Sequence, residues 1–358
     1  DKYAVKVSLA DSDGTAVGTE QTNATGSFDN LEAGKYKITA TLSDGTTEKK
    51  KVEKTINIKN LDDMSAYLFV HFVDTQEDAT REQIYFSVSK DGKTWTTLNN
   101  KQPYLTSNVG TQGVRDPYIL RGEDGKFFII ATDLSVYNLK NNWTAAAQQG
   151  SKSIVVWESS DLVNWSEASL VKINNDNAGC TWAPEACYDP EKDEYMVFWA
   201  SVVSDDSYQK YRIYRSYTKD FKTFSAPELY IEEPNAVIDT TIIDHEGTYY
   251  RFTKNEAKSS ITMQECTSLS GDWKDVANYN LGSMTGYEGP TIYKLNGKNE
   301  WCLLLDYFSK SKGYKPFVTT DITKGEFTAD SDFSFDGTYR HGTVMPITQA
   351  EYESLTAE

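Results

Sequence analysis

The feature that most constrains what this 358-residue chain can become is a repeat. A strand ending in Ser or Thr, then an Asp, then an aromatic a few residues on, appears as Ser89-Lys-Asp-Gly-Lys-Thr-Trp95 and Ser160-Asp-Leu-Val-Asn-Trp165. It returns as Lys219-Asp-Phe-Lys-Thr-Phe224, more loosely as Ser268-Leu-Ser-Gly-Asp-Trp273, and as Thr320-Asp-Ile-Thr-Lys-Gly-Glu-Phe327. Units of about 50–70 residues, each long enough for about four short strands, are the spacing of propeller blades. A second repeat runs out of phase with the first. Five strands open at Asp116, Glu185, Asp239, Glu288 and His341, and the first four continue through a turn into a second, aromatic strand such as Phe127-Phe-Ile-Ile-Ala or Tyr195-Met-Val-Phe-Trp. The first strand of a blade lines the central axis, so these five ionisable residues are expected to meet at one mouth of the tunnel.

The strand count also closes the ring. The unit before residue 100 supplies three strands and lacks an inner one, while Gly342 to Ile347 reads as an inner strand with no blade of its own. Joining them makes one blade from both ends of the chain and removes an open sheet edge. Residues 1–62 have a different texture, short on Trp, with period-2 runs such as Tyr3-Ala-Val-Lys-Val-Ser-Leu9 bounded by Asp-Gly and Ala-Gly turns. The expected architecture is therefore all-β: a small immunoglobulin-like or prealbumin-like β-sandwich over 1–62, read as an accessory spacer, followed by a five-bladed β-propeller over 63–358.

Composition removes several classes of function. With 53 acidic against 36 basic side chains the formal charge is −17, so nucleic acid and anionic membranes are expected to be repelled. Aromatics make up 13% of residues, far from the composition of a disordered chain. The four cysteines, Cys180, Cys187, Cys266 and Cys302, contain no CxxC pair and are read as free, small hydrophobes. No basic stretch followed by an apolar one opens the sequence, which begins at Asp1 inside an expected strand, so that a leader or further domains are expected to have been removed.

Carboxylates gathered at one mouth suit either hard-cation binding or acid–base catalysis. Glycoside hydrolysis needs one carboxyl that gives a proton and another that stays ionised. Asp116, Asp239 and Glu288 suit that division: Arg115 beside Asp116 would keep it ionised, and the Tyr287-Glu-Gly-Pro290 setting of Glu288 reads as rigid and partly apolar. A single acid before a strand is more often a turn former. Recurrence weakens that reading, because like charges crowded on an axis cost stability that a ligand must offset.

Taken together, Val114-Arg-Asp-Pro-Tyr118, Cys180-Thr-Trp-Ala-Pro-Glu185, Val237-Ile-Asp-Thr-Thr241, Tyr287-Glu-Gly-Pro290 and Arg340-His-Gly-Thr343 give residues 65–358 a resemblance to glycoside hydrolase family 43, a group of five-bladed propellers. The resemblance implies an inverting mechanism with Asp116 as general base, Glu288 as general acid and Asp239 as the residue that tunes and orients the acid. Inversion implies a base-to-acid separation of roughly 6.5–9.5 Å, room for a water. It further implies substrate-binding roles for Trp182 as a sugar platform and for Glu185, Arg340 and Arg115. His341 is expected either to face a calcium ion in the propeller axis, through water, or to be purely structural; no other cofactor is implied.

The implied partner is an arabinose- or xylose-containing oligosaccharide or polysaccharide, and the implied state a monomer of an extracellular or cell-surface bacterial enzyme. The insertion at 134–152, with Tyr137, Trp143 and Gln148, is expected to wall off a pocket and so favour release of terminal sugars. The reading is an exo-α-L-arabinofuranosidase; the alternatives are a β-D-xylosidase or exo-galactanase of the same family, or a non-catalytic carbohydrate-binding propeller.

Overall fold

In a computed structural model, residues 3–22, 27–28, 31, 34–58, 63–74 and 78–357 are described. The chain divides into two compact units, one of Asp1–Asp63 with the short segment Pro190–Asp193 and one of Met64–Asp189 with Glu194–Glu358. The expected boundary falls against residues 59–62, which lie outside the described ones.

The smaller unit is one four-stranded antiparallel sheet, in the order Ala16–Gln21, Ala4–Asp11, Gly34–Asp44, Thr47–Ile58. Among its described residues the buried apolar side chains are Leu9 and Tyr36. It forms one layer of the expected sandwich.

The larger unit is a five-bladed propeller. Four blades are antiparallel four-stranded sheets within residues 114–172, 182–231, 237–275 and 288–329. The fifth joins the two ends of the unit: inner strand Arg340–Thr348 pairs antiparallel with Met64–Phe72, followed outward by Tyr85–Ser89, Thr94–Thr97 and Ser334–Phe335. Each inner strand packs against the next, and the last packs against the first. The composite blade thus closes the ring as the strand count requires, with each inner strand hydrogen-bonded to its own blade on one side and packed against the neighbouring inner strands on the other.

The core lies between blades. One apolar cluster fills each of the five interfaces, for example Leu120, Phe128, Ile154, Trp199 and Phe221 between the first two, and Tyr250, Phe252, Trp301 and Phe317 between the third and fourth. The turn joining the third and fourth strands of a blade explains the first sequence repeat. Asp91, Asp161 and Asp220 each accept hydrogen bonds from backbone N–H groups two and three residues on, while a preceding Ser or Thr hydroxyl bonds the same aspartate. These side chains mimic a backbone turn and set the hairpin. Cys180, Cys187, Cys266 and Cys302 are free thiols. Among the described residues no helix is long and apolar enough to cross a membrane.

Candidate active site

All five inner strands carry an extra residue at the same register. The pairing skips between Arg115 and Tyr118, Trp182 and Glu185, Ile238 and Thr240, Glu288 and Thr291, and Arg340 and Thr343. Such a bulge bends a strand and re-aims the side chains at its break. In four blades the residue just after the break, Asp116, Ala183, Asp239 or Gly289, has φ between 47° and 51°. That left-handed conformation is strained for any side chain larger than glycine, and two of the four positions hold aspartates facing the axis.

The bulges resolve the phase of the second sequence repeat. Asp116, Asp239 and His341 occupy the bulge position itself, Glu288 precedes it, and Glu185 lies two residues beyond it. The five ionisable residues therefore do not share one register position. Arg115, Trp182, Ile238, Glu288 and Arg340 form one layer; Tyr118, Glu185, Thr241, Thr291 and Thr343 form a deeper one.

A cavity of about 250 Å³ opens over the upper layer, lined by Arg115, Asp116, Leu134, Trp143, Trp182, Tyr211, Ile238, Asp239, Lys254, Glu256, Glu288 and His341. His341 Nδ1 lies 3.3 Å from Asp116 Oδ1 and 3.8 Å from Asp239 Oδ2. Burial works against charge on that imidazole, but the two aspartates and the more distant Glu185 outweigh it and hold His341 protonated up to about 10. Burial likewise opposes ionisation of Asp116, yet the His341 hydrogen bond and charge, Arg115 and the Thr132 hydroxyl at 2.8 Å together hold its carboxyl below the ordinary value. Arg115, expected to keep Asp116 ionised, contributes to this but less than His341; its guanidinium pairs with Glu82 at 3.0 Å. Asp239 differs in sign. Burial raises it to about 6 against the opposing charges of His341 and Lys254.

Glu288 is not in the partly apolar setting its flanking sequence suggests. Lys254 Nζ donates to its Oε2 at 2.9 Å, and Arg340 Nη2 to its Oε1 at 3.3 Å. Arg340 is itself anchored through Nε on the fully buried Asp306 at 2.6 Å. Glu185 is absent from the cavity lining. Its carboxyl is buried in the deeper layer, bonded by the Thr241 hydroxyl, with Oε2 unpartnered. Burial pushes its proton affinity up to about 8.

Trp182 stacks on Tyr211 at 5.4 Å and meets the edge of Trp143 at 6.2 Å, making an aromatic wall. Trp143 opens the short helix Trp143–Gln148, whose Asn142 side chain caps Ala145 N–H. This helix belongs to the 134–152 insertion, which packs on Trp182 through Leu134, Val136 and Ala146. The insertion is pinned by Glu82, fully buried, which accepts from Ser135 Oγ and the backbone N–H groups of Val136 and Tyr137 as well as from Arg115.

Among the described residues no three His, Cys, Asp or Glu side chains are gathered to hold a metal ion. His341, the residue expected to face calcium, is an imidazolium turned toward two aspartates. The axial residues do not fit a directly ligated calcium, and no chemical step is derived through one.

Lys254, Glu256, Tyr211, Asp306 and Glu82 were not expected from the sequence. Lys254 and Glu256 sit at the end of a second strand and Tyr211 just before a third, while Asp306 and Glu82 lie outside the cavity lining, where no repeat marks them.

Residues 62–353 match the family model described as a probable glycosyl hydrolase domain related to family 43. The chain is 30% identical to an α-L-arabinofuranosidase of Bifidobacterium longum subsp. longum over 345 aligned residues, which cover 82% of this chain and 32% of that protein. It thus spans about a third of that relative's length. Similar solved structures include a thermostable family-43 glycoside hydrolase (19% identity, 66% of this chain and 77% of that chain, TM-score 0.46) and a family-43 β-1,3-galactosidase (16%, 64% and 48%, TM-score 0.47).

Proposed function

Because the chain belongs to glycoside hydrolase family 43, we propose that it hydrolyses terminal glycosidic bonds with inversion, and that its sugar is α-L-arabinofuranose. The observation that carries this reading is the cavity of about 250 Å³, lined by the aromatic rings of Trp143, Trp182 and Tyr211 and by Asp116, Asp239 and Glu288. That volume is below the ~300–1,000 Å³ of clefts that take drug-sized ligands, and it suits one sugar ring held end-on. The arabinofuranosidase relative supports the choice of sugar.

In the proposed mechanism Asp116, kept ionised by the imidazolium of His341, takes a proton from water as it attacks the anomeric carbon. Glu288 protonates the departing oxygen from the opposite side of the ring. Asp239 accepts the Gly289 backbone N–H at 3.0 Å and so fixes the strand that carries Glu288. Trp182 offers the apolar face on which the sugar stacks, Arg115 lines the cavity as a hydrogen-bond donor, and Arg340, outside the lining, acts on the site through its contact with Glu288. Glu185 supports His341 from the layer below. A calcium held through water in the axis stays part of the proposal, outside every chemical step.

The test is hydrolysis of 4-nitrophenyl α-L-arabinofuranoside, β-D-xyloside and β-D-galactoside, each with and without a chelator. Release from the arabinofuranoside alone supports the reading, and release from either of the others instead reassigns the sugar. Silence on all three, and on arabinan or galactan, contradicts an active glycosidase. Loss of rate with chelator alone supports the ion.

A further inference from the structure

The ammonium of Lys254 is shared. It stands 2.9 Å from Glu288 Oε2 and 2.9 Å from Glu256 Oε1, and its own side chain is almost fully buried. Glu256 is the more open partner, one-third exposed on the cavity wall. A cation against a carboxylate favours the ionised form. A general acid, however, must carry a proton into the transition state. Lys254 therefore opposes the role proposed for Glu288, and a second anion competing for the same ammonium relieves that opposition.

We infer that Glu256 is a positioning residue that acts through Lys254: by drawing the ammonium aside, it limits the charge felt by Glu288 and lets Glu288 hold the proton it donates. The inference rests on Glu288 being the acid. The other charged groups around Glu288 are Arg340 from the fifth inner strand, Asp306 from the second strand of the fourth blade and Asp239 from the third inner strand, with His341 and Asp116 on the same cavity lining. Arg340 is committed to Asp306 at 2.6 Å, shorter than its 3.3 Å contact with Glu288, so it has a buried partner of its own. Lys254 divides its ammonium between Glu288 and a second carboxylate on the cavity wall, at equal distances. A sugar that fills the cavity and removes water strengthens both of its contacts, which makes the division between Glu256 and Glu288 matter most in the complex.

The test compares Glu256→Gln and Lys254→Met with the parent enzyme on the 4-nitrophenyl and methyl glycosides of the sugar it releases, across pH. Methyl is a poor leaving group and depends on the acid; nitrophenolate depends on it little. With Glu256→Gln the alkaline limb of kcat falls about one pH unit lower, and the methyl-to-nitrophenyl rate ratio drops ~10-fold at the parent's optimum. Lys254→Met moves the limb the opposite way, and Glu256→Asp restores it. Limbs that stay in place, or that move together in both variants, overturn the inference. Glu288→Gln separates the two claims: if it keeps the alkaline limb and the methyl rate, the acid assignment itself is wrong; if it loses both while Glu256→Gln changes neither, the coupling through Glu256 is wrong.

Discussion

Asp239 Oδ2 accepts the backbone N–H of Gly289 at 3.0 Å, which ties the third inner strand to the residue that follows Glu288. Gly289 has φ of 51°, and a Cβ placed there would lie 2.6 Å from Cγ of His341. Backbone conformation and space both require glycine. Gly289→Ala is expected to cost about 1–2 kcal/mol from the left-handed backbone alone and to displace the imidazole from Asp116. The check is a lowered melting temperature together with at least ~10²-fold loss of kcat; full activity in a folded variant would mean the imidazole is not needed where it stands.

Asp116→Asn removes the proposed base while leaving the Thr132 hydroxyl a partner. Water activation is required whatever the leaving group, so kcat is expected to fall by roughly 10²–10⁴-fold on nitrophenyl and alkyl glycosides alike. A loss restricted to poor leaving groups would assign Asp116 to acid rather than base work.

Glu185 makes a pH prediction with a definite sign. Its proton affinity in the folded state is raised to about 8 by burial, above that of an unfolded glutamate near 4.3. A group that binds its proton more tightly when folded contributes stability below the unfolded value, and that contribution is lost as pH rises toward 8. Every tenfold difference in proton affinity between the folded and unfolded chain corresponds to about 1.4 kcal/mol. Glu185→Gln, which keeps shape without charge, is expected to raise the melting temperature relative to the parent at pH 8–9 and to change it little near pH 4. Equal changes at both pH values would show that the carboxyl does not titrate in this window.

Trp143 stands at the cavity mouth with nearly half its surface exposed, its edge against Trp182 and the Arg115 guanidinium over its ring at 5.3 Å. Stacking by such a ring is worth about 0.5–1.5 kcal/mol. Trp143→Ala is expected to raise KM roughly 2–10-fold with a smaller change in kcat; a kcat loss at unchanged KM would mean that the ring acts by holding Arg115 and not by touching sugar.

The architecture was legible in the sequence because a propeller repeats its local rules. The Ser/Thr-Asp turn that aligns Asp91, Asp161 and Asp220 is a local device, and so is the alternation of turn and aromatic strand. The composite blade followed from counting strands. What the sequence hid was the bulge: its positive φ is carried by Asp116, Ala183, Asp239 and Gly289, four positions held by three residue types, so nothing local marks them as equivalent. The phase of Glu185 and Glu288 against Asp116 depended on that extra residue. Lys254, Glu82 and Asp306 were hidden for a different reason. Each acts on a partner 33 or more residues away in sequence, and a charged side chain at a strand end or in a loop is read as solvent-facing until the fold places a counter-charge beside it.

Inversion by Asp116 and Glu288 across one sugar ring, as proposed, fixes which anomer is released first, and proton NMR of that sugar reads it. Hydrolysis of an α-L-arabinofuranoside followed in the spectrometer should show the β-anomer of free arabinofuranose before mutarotation mixes the forms. Appearance of the α-anomer first would mean retention, a covalent intermediate, and a nucleophilic role for one of these carboxylates that contradicts the account.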